Sequence, residues 1–151
     1  MPEVSTRLAN SDDLDAVARL FDGYRQFYGK TSNVEGAKAF LGARIAARDS
    51  TIIIAEQAGE IVGFTQLYPS FTSVGMARIF ILNDVFVASE SRATGAGRAL
   101  LDAAAAYARE AGAVRLTLTT QVTNARAQSV YEANGWVRDD QFYTYNLPLT
   151  G

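Results

Sequence analysis

An apolar run, Leu82-Asn83-Asp84-Val85-Phe86-Val87, leads through Arg92-Ala93-Thr94-Gly95-Ala96-Gly97-Arg98 into an alanine-rich helical stretch, and chemistry is expected at that junction. Gly95 and Gly97 leave room for a ligand beside the main chain. The first amides of a helix have no partner within it, and its dipole favours an anion there. Arg92 and Arg98 add guanidinium groups suited to charge-assisted bonds with phosphate. Taken alone, such a glycine turn is also an ordinary turn. The common nucleotide signatures both fail. Leu100 stands where G-x-G-x-x-G needs its third glycine, and the only lysines, Lys30 and Lys38, lie far upstream of the place a P-loop requires one.

Asn83 and Asp84 are the polar interruptions of that apolar run. A carboxylate there is either a proton acceptor or a structural group satisfied by neighbouring amides, and both readings stay open. Tyr131 follows Asn124 by two helical turns, roughly 10 Å along one face, so both side chains can line one groove. Tyr131 reads either as a packing residue or as a phenol that stays protonated at neutral pH and can serve as an acid.

Composition narrows the chemistry. The 151 residues contain no histidine and no cysteine. That excludes Ser-His-Asp triads, Cys-His dyads, a histidine base, disulfides and ordinary zinc sites, so no metal is expected. Fourteen basic residues (14) against 16 acidic ones give a net charge of −2. No basic footprint for nucleic acid is present, and a cationic substrate suits the balance better than an anionic polymer. The N-terminal residues MPEVSTRLANSDD show no signal-peptide pattern, and no stretch is long and apolar enough to cross a bilayer, so a cytoplasmic location without membrane association is expected.

The elements that must position these residues follow from periodicity. A strand is expected near Val4 to Leu8, then a helix capped by Asn10 and Ser11, with Asp12 and Asp13 in its first turn and Leu14, Val17, Ala18 and Phe21 at helical spacing. Tyr24, Phe27 and Tyr28 continue that helix to Gly29, and a second runs from about Val34 to Ala47. Thr51 to Glu56 and Ile61 to Tyr68 form a hairpin, and Pro69 to Gly75 reads as a loop holding Phe71. Arg78 to Val87 is a central strand. A helix from Gly97 to Ala111 buries Leu100, Leu101, Ala104, Tyr107 and Ala108, with Arg98, Asp102 and Arg109 on its polar face. Arg115 to Thr120 is a strand, Asn124 opens a helix closing at Gly135, and Trp136 to Arg138 with Phe142 to Leu147 complete a strand pair. The whole is one domain of mixed α/β class, with helices on the faces of a central sheet.

Arg92-x-x-Gly95-x-Gly97 after the LNDVFV strand resembles the acyl-CoA signature of the Gcn5-related N-acetyltransferase family. The stretch from Asn124 through Tyr131 to Gly135-Trp136 resembles that family's following helix. The match is specific from Leu82 to Trp136 and looser elsewhere. The resemblance implies a mostly antiparallel sheet of about six to seven strands. It implies acetyl-CoA as cosubstrate, with the pantetheine arm along Val85, Phe86 and Val87 and the pyrophosphate on the turn formed by Arg92, Ala93, Thr94, Gly95, Ala96, Gly97 and Arg98. Main-chain amides near Val85 would face the thioester carbonyl, Asn124 would line the cofactor groove, and Tyr131 would protonate the departing thiolate. The base is less marked, because relatives of the polyamine type carry Glu where Asn83 stands. Deprotonation then runs through water to Asp84 or another carboxylate, or the free amine binds directly.

On the acceptor side the resemblance points to Tyr24, Phe27, Tyr28 and Phe71, residues that also read as core aromatics. The sequence around Tyr24 and Leu82 is similar to the polyamine and histone acetylating branch. Asp22, Glu35 and Glu90 are either contacts for a cationic acceptor or solvated surface charges. The expected activity is acetyl transfer to a primary amine, on a small molecule or a peptide, by a homodimer. The alternative is a non-catalytic acyl-CoA sensor that keeps Arg92, Gly95 and Gly97 without transfer.

Overall fold

The computed structural model describes residues 3–150, which fall into two compact units, one ending at Leu118 and the other beginning at Thr119. In the first unit, β1 (Val4–Leu8) is followed by α1 (Leu14–Phe27) and α2 (Val34–Ala47). Then come β2 (Thr51–Gln57), β3 (Glu60–Thr72), β4 (Ala77–Val87), α3 (Ala96–Glu110) and β5 (Leu116–Thr117). The second unit contains α4 (Ala125–Ala133). The sheet order is β1-β2-β3-β4-β5, antiparallel throughout except for the parallel pair β4–β5. Among the described residues, no helix is long and apolar enough to cross a membrane.

Two layers of helix enclose this sheet, and strand alternation decides which residue meets which layer. Ile52, Ile54 and Phe64 pack with Val17 and Ala18 of α1 and Ala37 and Leu41 of α2. The intervening positions meet α3. Gly63 faces Leu100, Phe80 meets the Tyr107 ring edge-on, and Thr51 hydrogen-bonds the Tyr107 hydroxyl at 3.0 Å. Leu100, Leu101, Ala104 and Ala108 are buried along α3, as its periodicity predicts. Burial of each large aliphatic or aromatic side chain stabilises the fold by about 1.5–3 kcal/mol.

The approach to α1 is fastened by charge. Asn10 accepts from the Asp12 amide, and the Asp13 carboxylate accepts from the Asn10 amide, a reciprocal cap leading into the helix. Asp13 also takes both ends of the Arg7 guanidinium, at 2.8 and 2.9 Å, which ties β1 to the helix start.

Several expectations change. β3 continues to Thr72, so Pro69 to Phe71 belong to the strand, paired through Pro69↔Phe80, Ser70↔Ile79 and Phe71↔Arg78. A proline signals a break only where its missing N–H is needed, and this outer end of a hairpin has no such need. The strand expected over Arg115 to Thr120 shrinks to Leu116–Thr117, and no ladder forms through Trp136–Arg138 or Phe142–Leu147. The described sheet therefore has five strands, not six or seven. Phe142, Tyr143, Tyr145 and Leu147 carry strand-like residue types, yet their side chains are exposed, and alternation makes a strand only where a neighbour supplies hydrogen bonds and a buried face.

The hydrogen bond from Arg7, reinforced by the Asn10 amide, holds the Asp13 carboxyl below its ordinary range. A folded-state depression of this sign adds stability above the unfolded pKa and loses it on acidification. Stability is thus expected to be complete above roughly pH 4 and to fall below it, and Asp13→Ala should flatten that dependence while removing about 2 kcal/mol. Urea titrations of both proteins across that pH range check it.

Candidate functional site

Strand β4 and the turn after it carry the site. β4 pairs with β5 only at Phe80↔Leu116 and Ile81↔Thr117, so no strand bonds Leu82 to Val87 on the side away from β3 among the described residues. On its other side β4 is bulged. Gln66↔Asp84 is followed by Leu67↔Leu82, which makes Asn83 the extra residue. The Tyr24 hydroxyl donates to the Asn83 carbonyl at 3.4 Å, bringing α1 to the bulge. Gly63 lets β3 approach here. A Cβ on it would meet the Phe86 carbonyl oxygen at 2.9 Å.

The turn after β4 is shaped by local bonds. Thr94 Oγ1 donates to the Ser91 carbonyl at 2.6 Å, and Arg92 Nε donates to the Val87 carbonyl at 3.0 Å, while its guanidinium lies 5.3 Å from the Phe86 ring centre. Ala93 and Gly95 take left-handed conformations, φ 66° and 93°. None of the amides from Ala93 to Arg98 has an intramolecular acceptor among the described residues. Consecutive free amides with alternating handedness, placed at a helix start, form a concave anion site. The space is open too. A Cβ on Gly95 would touch nothing within 4 Å, and one on Gly97 only Val87 Cγ2 at 3.9 Å. These residues therefore fit a phosphate-bearing ligand. Arg98 is exposed beside Asp102, at 3.8 Å.

Asp84 is buried, 4% exposed. Its Oδ2 accepts from Gln66 Nε2 at 2.8 Å and its Oδ1 from Asn83 Nδ2 at 3.1 Å. Its own carbonyl accepts from Thr65 Oγ1 at 2.7 Å. Neighbouring amides hold the carboxylate, as the structural reading of Asp84 requires.

The expected acceptor residues separate. Tyr24 is half-buried, edge-on to Phe64 and Phe86, and so belongs partly to the core. Phe27 and Tyr28 are exposed and pack edge to face at 5.3 Å. Phe71 is exposed under the Arg78 guanidinium, five positions beyond Gln66 on β3, or roughly 16 Å along the strand. Glu35 and Glu90 are exposed. Asp22 is not. It is buried and accepts from the Asn33 amide, Ser32 Oγ and Gln26 Nε2, so it anchors the segment before α2 rather than facing solvent. The Asn33 amide is the main reason its carboxyl lies below the ordinary range.

In the second unit, Asn124 caps α4, accepting from the Ala127 amide at 3.1 Å. The half-buried Tyr131 ring lies 6.0 Å from Trp136. Sequence reasoning missed Gln66, whose only signal was an amide within the apolar strand IVGFTQLY.

Because the protein itself tolerates a Cβ at Gly97, substitution there isolates ligand approach from folding. Gly97→Val should change stability by less than about 1 kcal/mol yet weaken acetyl-CoA, the ligand implied by the resemblance, by roughly tenfold or more. Calorimetric titration alongside thermal melts checks both parts.

Comparison with known proteins agrees with this geometry. Residues 17–136 match the profile of the acetyltransferase (GNAT) family. The uncharacterized N-acetyltransferase YhfO of Bacillus subtilis (strain 168) is 50% identical over 147 residues, 96% of this chain and 99% of its own length. A crystal structure described as a probable acetyltransferase superposes with a TM-score of 0.90 at 40% identity over 99% of both chains. An aminoglycoside N-acetyltransferase, AAC(6')-Iy in complex with CoA, shares the fold, with a TM-score of 0.81 at 18% identity over 97% of this chain and 96% of its own. The chain belongs to the acetyltransferase (GNAT) family of acetyl-CoA-dependent N-acetyltransferases.

Proposed function

We propose that the protein moves the acetyl group of acetyl-CoA onto a primary amine by direct attack, with both substrates bound together. One observation carries this reading. The unpaired edge of β4 from Leu82 to Val87 leads to the acceptor-free amides of Ala93 to Arg98. A strand edge followed by an anion cradle suits a ligand with an amide-bearing arm and a pyrophosphate. Val85, Phe86 and Val87 take the arm, and the turn from Arg92 through Ala93, Thr94, Gly95, Ala96 and Gly97 to Arg98 takes the phosphates.

The acceptor is a small amine, a polyamine, an amino acid or a protein lysine, and Tyr24, Phe27, Tyr28 and Phe71 are proposed to meet it. An alkylammonium of ordinary pKa, about 10.4, must lose a proton before it attacks. Asp84 receives that proton through water. Asn83 cannot take it, but its amide helps to hold the carboxylate. The neutral nitrogen then bonds to the thioester carbon, and a main-chain amide near Val85 stabilises the oxyanion. When the C–S bond breaks, the resemblance assigns Tyr131 to protonate the thiolate and Asn124 to the cofactor groove.

Two measurements test the reading. Calorimetric titration with acetyl-CoA should show binding, and thiol release should appear with at least one of a panel of polyamines, lysine analogues and peptides. Binding without release on any acceptor would instead support a sensor. Tyr131→Phe should lower turnover about 100-fold with little change in acetyl-CoA affinity, because it removes a proton donor and almost no contact area. Unchanged turnover would take Tyr131 out of the mechanism.

A further inference from the structure

Gln66 is the least accommodated polar residue of the sheet. It is 0% exposed, on the same face as Phe64 and the α1–α2 core. Its Nε2 donates to Asp84 Oδ2, whereas its Oε1 is buried without a hydrogen-bond partner among the described residues. Rotating the amide cannot help, because it would set Oε1 against a carboxylate oxygen and remove the donor that β3 gives the Asp84 carboxylate. An orphaned carbonyl oxygen in the interior is destabilising, and leucine or methionine would fill this position without that cost.

The surroundings indicate what Oε1 serves. Tyr68, two positions further along β3, is half-buried, and burial together with the charge of Asp84 raises its phenol above the ordinary value. The guanidinium of Arg44, paired with Asp49, also acts on Tyr68, in the opposite sense. Asn83, exposed at the bulge, connects Asp84 to solvent. Gln66 Oε1 and the Asp84 carboxylate therefore present acceptors side by side, directly inward of the exposed Asn83 side chain.

We propose that Gln66 is a positioning residue for the deprotonation of the acceptor. Its Nε2 fixes Asp84, and its Oε1 accepts the second hydrogen of the water that carries the proton. The balance is simple. The ammonium N–H bond breaks, water takes that proton while passing another to Asp84, and the amine keeps the lone pair with which it attacks. This rests on the acetyl-transfer reading and on Asp84 as proton acceptor.

The basicity of the acceptor separates this role from a structural one. An amine already neutral at the assay pH has no proton to lose. Gln66→Met should therefore lower kcat roughly 10- to 100-fold with a strongly basic alkylamine, and less than about threefold with its fluorinated analogue that is neutral under the same conditions. Acetyl-CoA affinity should be unchanged by calorimetry. Gln66→Glu keeps the shape and the acceptor but loses the amide donor, and it should show the same split between amines if the methionine variant folds poorly. In the Asp84→Asn background, Gln66→Met should add almost nothing, because the two act as one unit. Equal losses with both amines, or additive losses in the double variant, would overturn the role of Gln66 and leave acetyl transfer standing. Absence of transfer from the unsubstituted protein to any amine would overturn both.

Discussion

Beyond Ile81, β4 has a strand beside it on one side only among the described residues, and the character of the site follows from that. Main-chain N–H and C=O groups must be bonded by protein, water or ligand, and here, apart from the Asn83 and Val87 carbonyls that accept from Tyr24 and Arg92, the side facing away from β3 is left to the latter two. The parting of β4 from β5 is possible because β5 is only Leu116–Thr117 and because β4 is held firmly by β3 along its other edge. Gly63 makes that hold close, with no side chain to push against the Phe86 carbonyl. A strand bonded tightly on one edge and open on the other is a rigid template, and rigidity lowers the entropic cost of binding an extended ligand.

The turn after β4 extends the same logic from an edge to a point. Ala93 accepts a left-handed conformation that costs a non-glycine residue free energy, and the Thr94 and Arg92 side chains are committed to the carbonyls of Ser91 and Val87. Their carbonyl partners are thereby removed from competition, so the free groups at the mouth of α3 are donors. An anion meets amides and the positive end of a helix dipole together.

On the opposite side of the sheet the constraint is burial of charge. Asp84 is buried at the bulge, and it is tolerable there because two side-chain amides donate to it. The bulge that makes Asn83 the extra residue brings that amide beside the carboxylate, so an irregularity of the strand helps to satisfy the buried charge. Asp22 shows the other use of a buried carboxylate. Two donors from the segment before α2, Ser32 and Asn33, and a third from Gln26 of α1 engage it, and its role is to hold α1 and α2 in order.

What lies in local sequence was legible: the Asn10 cap, the helix Val34–Ala47, the glycine turn into α3 and the Asn124 cap each depend on residues within a few positions of one another. The family signature is of the same kind, a spacing along one strand, turn and helix. Features that depend on a distant partner were not legible. Pro69 to Phe71 became strand because Arg78 to Phe80 lie opposite them, and Phe142 to Leu147 did not because no ladder meets them. Gln66 looked like an ordinary polar residue, and Asp22 like a surface charge, until register and helix packing enclosed both. Caps, turn chemistry and family membership are written in residues close together along the chain. Which carboxylate shares which amide is settled on folding, because a hydrogen bond across 18 residues of chain exists only once two strands have settled into one register.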